Sequence, residues 1–142
     1  MLSRFVKLLK ASAANNVGME THTNPPERDR QYKLVRAAIF ARRMRDDRFP
    51  ANLFGEPAWD CLLDLYLALL EYRQLSASQL CAAATVPPTT ALRWLDVLCQ
   101  KNLAMRRPDP RDGRRTLVNL TPKGEVLMNS YFLGVSAHWN GC

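Results

Sequence analysis

Apolar residues recur every three or four positions over most of the chain and switch to every second position over a short stretch after residue 103. The first period is that of a helix with one buried side, the second that of a strand. From Glu27 to about Asp47, Tyr32, Val35, Ala38, Ile39 and Phe40 gather on one side with arginines around the rest, which predicts a moderately amphipathic helix. Phe49-Pro50 ends it. A second helix opens at Phe54-Gly55-Glu56-Pro57, because proline fits a first turn where its missing N–H is not needed. Glu56, Asp60 and Asp64 lie toward the positive end of its dipole. Trp59, Leu62, Leu63, Tyr66, Leu69 and Leu70 follow at helical spacing through Tyr72, and mark this as the central core helix.

After Leu75, Ser76 and Ser78 are both competent N-caps for a two-turn helix whose apolar side is Leu80, Cys81 and Ala84. Thr85-Val86-Pro87-Pro88 breaks it. Pro88 suits a helix start, and Thr89 to Lys101 continue with a core stripe of Ala91, Leu92, Leu95, Leu98 and Cys99. At 100° per residue, Thr90, Arg93 and Val97 point away from that stripe, with Thr89, Trp94 and Gln100 at its flanks. Trp94 reads as a core or rim residue. Asn102 ends the helix as a left-handed cap.

Ala104 to Arg107 and Arg115 to Leu120 then read as two strands, joined through Pro108 to Arg114, where Asp112-Gly113 is a hairpin-turn signal. Pro108 cannot donate to a ladder, so its strand belongs at an edge. Thr121-Pro122 supplies a cap and a first-turn proline for a final helix over Lys123 to Phe132. Helix, turn, helix and basic hairpin, followed by a helix, is the order of a winged helix-turn-helix: mainly α, with a small β-hairpin wing.

The chain has 142 residues, 47% hydrophobic and 23% charged, which is the size and balance of one globular domain. Its formal charge of +7 favours an anionic partner, nucleic acid or an acidic membrane surface. Two blocks carry the excess: residues 27–48, with eight basic and four acidic side chains, and residues 106–124, with six basic and two acidic. The second block falls on the predicted wing. No apolar run is long enough to cross a bilayer, since the longest, Cys61 to Leu70, is interrupted by Asp64. Residues 1–26 are expected to be a flexible tail, with a short basic amphipathic stretch at Met1 to Lys10, a Pro25-Pro26 break, and Met19 as an alternative start. The folded domain is then 27–142, with its first helix over 27–47 and its last from 122.

Candidate chemistry is sparse. Cys61, Cys81, Cys99 and Cys142 form no C-x-x-C pair, and His22 and His138 are the only histidines, so neither a metal site nor a cofactor is expected. The first three cysteines lie within apolar helical patterns, as buried thiols would. Asp60 and Asp64 share a helix face, but no histidine or Gly-rich loop accompanies them, and Ser76 and Ser78 have no base in reach. An enzyme is not expected.

Asp109-Pro110-Arg111-Asp112-Gly113-Arg114-Arg115, followed by Val118-Asn119-Leu120-Thr121-Pro122-Lys123-Gly124, resembles the wing signature of the multiple antibiotic resistance regulator (MarR) family, in which D-x-x-D-x-R precedes a strand ending in L-T-x-x-G. Leu75-Ser76 to Leu80 and the Leu92 to Leu103 stretch resemble that family's helix-turn-helix, so the likeness runs over about residues 58–125. It implies a wing whose tip arginine, Arg114, enters the minor groove, with Arg111 as a second candidate and Asp112 holding the wing arginines by an ion pair. It also implies a recognition helix that meets the major groove through Pro88, Thr89, Thr90 and Arg93. Arg107 and Arg115 complete the candidate wing contacts. Two departures are Thr85, where Gly is common in the turn, and a chain that runs only about twenty residues past the wing, where relatives dimerise through long terminal helices.

The expected function is a cytoplasmic transcriptional regulator that binds double-stranded DNA sequence-specifically as a homodimer on a palindromic site. A winged-helix protein-interaction module without DNA, with the first helix and Trp94 as its surface, is the alternative from another class. A membrane-surface protein using Met1 to Lys10 is a third. No pattern in the sequence names an effector.

Overall fold

The computed structural model describes residues 24–141; the tail, the Met1 to Lys10 stretch, Met19, His22 and Cys142 lie outside them. Five helices and three short strands follow in the order α1 (Pro25–Arg48), α2 (Pro57–Leu70), β1 (Leu75–Ser76), α3 (Ala77–Ala83), α4 (Pro88–Gln100), β2 (Ala104–Pro108), β3 (Thr116–Leu120) and α5 (Pro122–Asn140). Pro25-Pro26, expected to break the chain, instead form the first turn of α1 after Asn24, where prolines cost no hydrogen bond. The last helix also runs past Phe132 to Asn140.

β3 lies between β1 and β2, antiparallel to both. Leu75 and Ser76 pair with Val118 and Leu117, while Ala104 to Pro108 pair with Leu120 to Thr116. Pro108 therefore does sit on an edge strand. β1 was not expected: two residues are too short to display alternation, and only the cross-strand partner reveals them.

α2 is more enclosed than its predicted stripe. Leu63 and Tyr66 are buried as expected, but so are Cys61, Leu65 and Ala68 from the opposite side, because α1, α4, α5 and the sheet surround the helix. Leu80, Leu95, Leu98, Val118, Leu120, Met128 and Phe132 converge on it. Tyr66 stacks on Phe132 with ring centroids 5.6 Å apart.

Where α1, α2 and α5 meet, the core holds a small polar network. The Gln31 amide donates to Asn129 Oδ1 at 2.7 Å, and the Tyr66 hydroxyl donates to Gln31 Oε1 at 3.1 Å. Gln31 is only 1% exposed, and its removal leaves the buried Tyr66 hydroxyl with only a long 3.4 Å hydrogen bond to Asn129 Oδ1. Gln31→Ala is expected to cost about 2–3 kcal/mol, read as a lower urea midpoint, and Gln31→Leu with Asn129→Leu to recover part of it.

The wing is tied to the last helix by one junction. Asn102 adopts the left-handed cap (φ 57°), Thr121 Oγ donates to the Asn102 carbonyl at 2.6 Å, and the Thr121 N–H donates to the Leu103 carbonyl at 3.0 Å. The same Thr121 hydroxyl accepts the Gly124 N–H at 3.0 Å and caps α5.

Candidate nucleic-acid interface

α3 is started by Ser76, not Ser78. Ser76 Oγ accepts the Gln79 N–H at 3.1 Å, and Gln79 Oε1 accepts the Ser76 N–H at 2.9 Å, a reciprocal capping box. α4 begins differently: Pro87 precedes it with no side-chain cap, so the Thr89 and Thr90 amides at its start receive no side-chain oxygen. Ala91, Leu95 and Leu98 face the core. Pro88, Thr89 and Arg93 are exposed and Thr90 is half-buried, so the four expected recognition residues share the open end of one helix.

Leu92 departs from expectation. Assigned to the core stripe, it is 42% exposed, because Ala91, Leu95 and Leu98 fill the narrow contact with α2 and α3, and Leu92 lies a full 100° from Ala91. Trp94 sits at the rim, 39% exposed.

In the wing, residues 109–115 form the loop between the strands, close to the Pro108 to Arg114 connection expected, with Asp112-Gly113 near its end. The Asp109 N–H donates to the Arg115 carbonyl and the Arg115 N–H to the Asp112 carbonyl, both at 3.0 Å. Two carboxylates shape the tip: Asp109 Oδ1 accepts the Arg111 N–H at 2.9 Å, and Asp112 Oδ1 accepts the Arg114 N–H at 3.0 Å. Asp112 thus holds the turn backbone, and the ion pair expected of it with the wing arginines is not formed; Asp109 is the acid nearest Arg115, at 4.0 Å.

The arginines divide by what they already touch. Arg106 Nη1 meets Asp96 of α4 at 2.6 Å, Arg107 donates to Asn119 across the ladder at 3.1 Å, and Arg115 donates to Gln79 of α3 at 3.3 Å. Among the described residues, the side chains of Arg93, Arg111 and Arg114 have no ionic or hydrogen-bond partner, and all three are exposed. The basic block thereby resolves into occupied cations and available ones, a distinction that needs Gln79 of α3 and Asp96 of α4 and so escapes any local reading of the wing.

The other basic block, on α1, is largely consumed internally. Arg42 bridges Asp60 at 2.5 Å and Glu56 at 2.6 Å, Arg28 donates to the Leu70 carbonyl at 3.0 Å, and Arg43 approaches Asp64 at 3.9 Å. The acids of α2 therefore serve as partners of α1 as well as dipole ligands. Burial still outweighs Arg43 at Asp64, whose carboxyl is pushed up to about 6 from its ordinary 3.8. The folded state then binds a proton the unfolded chain has released between about pH 4 and 6, so stability falls as pH rises through that window. Glu125, also raised by burial, acts in the same direction. Asp64→Asn is expected to recover on the order of 2 kcal/mol at pH 7 and almost nothing at pH 4, measured by thermal melts across pH. Burial likewise pushes the Cys61 thiol up to about 12, which leaves it protonated and unreactive at neutral pH.

A helix pair, the uncapped start of α4 and an arginine-tipped hairpin therefore lie on one continuous unit, and a family model covers the same stretch: residues 64–124 match that of the winged helix DNA-binding domain. The chain carries a winged-helix domain. Solved structures share its fold at low identity. The MepR–DNA complex from S. aureus superposes with a TM-score of 0.51 at 20% identity, covering 76% of this chain and 86% of that one. MepR in its DNA-binding conformation gives 0.51 at 19%, covering 78% and 74%. AF1382 from Archaeoglobus fulgidus gives 0.51 at 16%, covering 61% and 91%. No curated protein sequence is a significant match. The winged-helix architecture expected from the wing motif is the one observed. No helix among the described residues is long and apolar enough to cross a membrane.

Proposed function

We propose that this chain is a transcriptional regulator that binds double-stranded DNA sequence-specifically, with the start of α4 in the major groove and the 109–115 loop in the adjacent minor groove. The observation that carries this reading is the trio of exposed guanidinium groups without a partner among the described residues, Arg93, Arg111 and Arg114, on a winged-helix unit whose acids and amides engage Arg106, Arg107 and Arg115. Thr89, Thr90 and the α4 amides supply phosphate or base-edge donors beside Arg93. Arg93 has the fork geometry that reads guanine, and the wing arginines suit a narrow, electronegative minor groove. The protein acts in the cytoplasm.

Two copies on a palindrome complete the reading. Tyr131 and Trp139 on α5 and Phe40 on α1 are 49%, 77% and 65% exposed, and large exposed aromatics on terminal helices supply an apolar face for a partner.

The test is competition binding between duplexes that differ at one base pair. Arg93→Ala is expected to lose about 1–3 kcal/mol of discrimination at a single position of the site while keeping most affinity for unrelated duplex. Unchanged discrimination at every position would remove Arg93 from the base-reading surface.

A further inference from the structure

We propose that Asp96 withholds Arg106 from DNA phosphates and so limits the affinity of the winged helix for any duplex. This rests on the DNA-binding reading above and deepens it. Arg106 stands on β2, opposite Val118 and two residues before Pro108, on the strand that leads into the wing. Asp96 stands on α4, three residues beyond Arg93. Their side chains meet at 2.6 Å across the gap between recognition helix and wing.

That gap has a defined occupant in the proposed complex. Adjacent major and minor grooves are separated by one phosphodiester strand, so a protein that places α4 in one and the wing in the other straddles that strand. A guanidinium on β2 facing α4 is where a phosphate would be held. In this chain a carboxylate on α4 already holds it, in the manner a phosphate would.

The pair adds little to the fold. The two side chains are 35% and 53% exposed, and ion pairs at that exposure contribute little stability because water and salt screen them. Its consequence lies in binding. Attraction between cations and phosphates is independent of sequence and supplies most non-specific affinity. That attraction is present on correct and arbitrary duplexes alike, so a carboxylate that neutralises one cation lowers affinity for both by a similar factor. Asp96 therefore limits overall affinity and leaves discrimination to the base-reading residues.

The experiment is equilibrium binding of the full chain, Asp96→Asn, Arg106→Gln and the double variant to a duplex of arbitrary sequence and to a selected high-affinity duplex, from 50 to 200 mM salt. Asp96→Asn is expected to bind the arbitrary duplex about three- to ten-fold tighter, with a salt slope steeper by about one, and to gain by a similar factor on the selected duplex. Arg106→Gln alone keeps the parent's slope, and the double variant returns to it. A slope that drops by about one in Arg106→Gln alone would show that Arg106 already contacts phosphate and overturn the proposal. An unchanged slope in Asp96→Asn would overturn it too, with melting temperatures confirming that each variant is folded. If the unmodified chain binds neither duplex, the DNA-binding reading fails and this inference with it; if it binds with normal salt dependence while Asp96→Asn behaves as the parent, only this inference fails.

Discussion

Replacing Arg111 and Arg114 together with alanine is expected to lower affinity for duplex DNA on the order of 100-fold near 100 mM salt and to reduce the salt slope by about two. The size follows from what these side chains are doing before DNA arrives. Both are exposed, and their guanidinium groups have no partner among the described residues, so nothing has to be broken for them to meet phosphate or the minor groove. Their backbone amides are already fixed by Asp109 and Asp112, which limits the ordering cost of bringing the tip to DNA. Arg115→Ala should cost less, because its guanidinium is shared with Gln79 and Asp109. Fluorescence anisotropy titrations across salt distinguish the two classes. Equal losses for Arg114→Ala and Arg115→Ala would contradict the division of the wing arginines. Arg111→Lys with Arg114→Lys keeps the charge, so most of the slope should survive while minor-groove fit declines.

Gly124→Ala is expected to destabilise the fold by about 3 kcal/mol and lower Tm by roughly 10 °C. A Cβ at Gly124 would stand 2.1 Å from the carbonyl oxygen of Leu103 and 3.1 Å from its carbon. Those are backbone atoms, and that oxygen also accepts the Thr121 N–H, so it cannot withdraw without opening the junction that joins α4, the wing and α5. Gly134 provides the control. It lies in the same helix with nothing within 4 Å of its Cβ position, and Gly134→Ala should stabilise by about 0.5–1 kcal/mol through helix propensity alone. Because the Gly124 lesion is structural, DNA affinity measured below the melting temperature should change far less than Tm.

These two cases also show how far the sequence could be read. The helix order, the left-handed Asn102 cap, the edge position of Pro108 and the Thr121 cap were legible, because each depends on residues within a few positions of one another. Gly124 was visible only as a motif letter; its reason lies in Leu103, on the far side of the hairpin. The family resemblance implies an ion pair from Asp112 to the wing arginines, yet Asp112 Oδ1 accepts the Arg114 amide at 3.0 Å and the turn takes the carboxylate. Leu92 was placed inside because periodicity cannot tell how wide the covering surface is. β1 and the Gln31–Tyr66–Asn129 network needed partners from distant segments, and no local pattern announces those. Pro88, Thr89, Thr90 and Arg93, the residues expected to meet the major groove, lie at the start of α4, whereas which wing arginines are available depends on Asp96 and Gln79.

The central claim is sequence-specific DNA binding by a winged helix acting in pairs, and selection of binding sites from random duplex DNA by the purified full-length chain tests it most directly. The expected result is an enriched pseudo-palindrome whose half-sites are about one helical turn, or a multiple of it, apart, with affinity that falls steeply as salt rises. A pool that stays unenriched after repeated selection at 100 mM salt, with no duplex retained, would contradict the account.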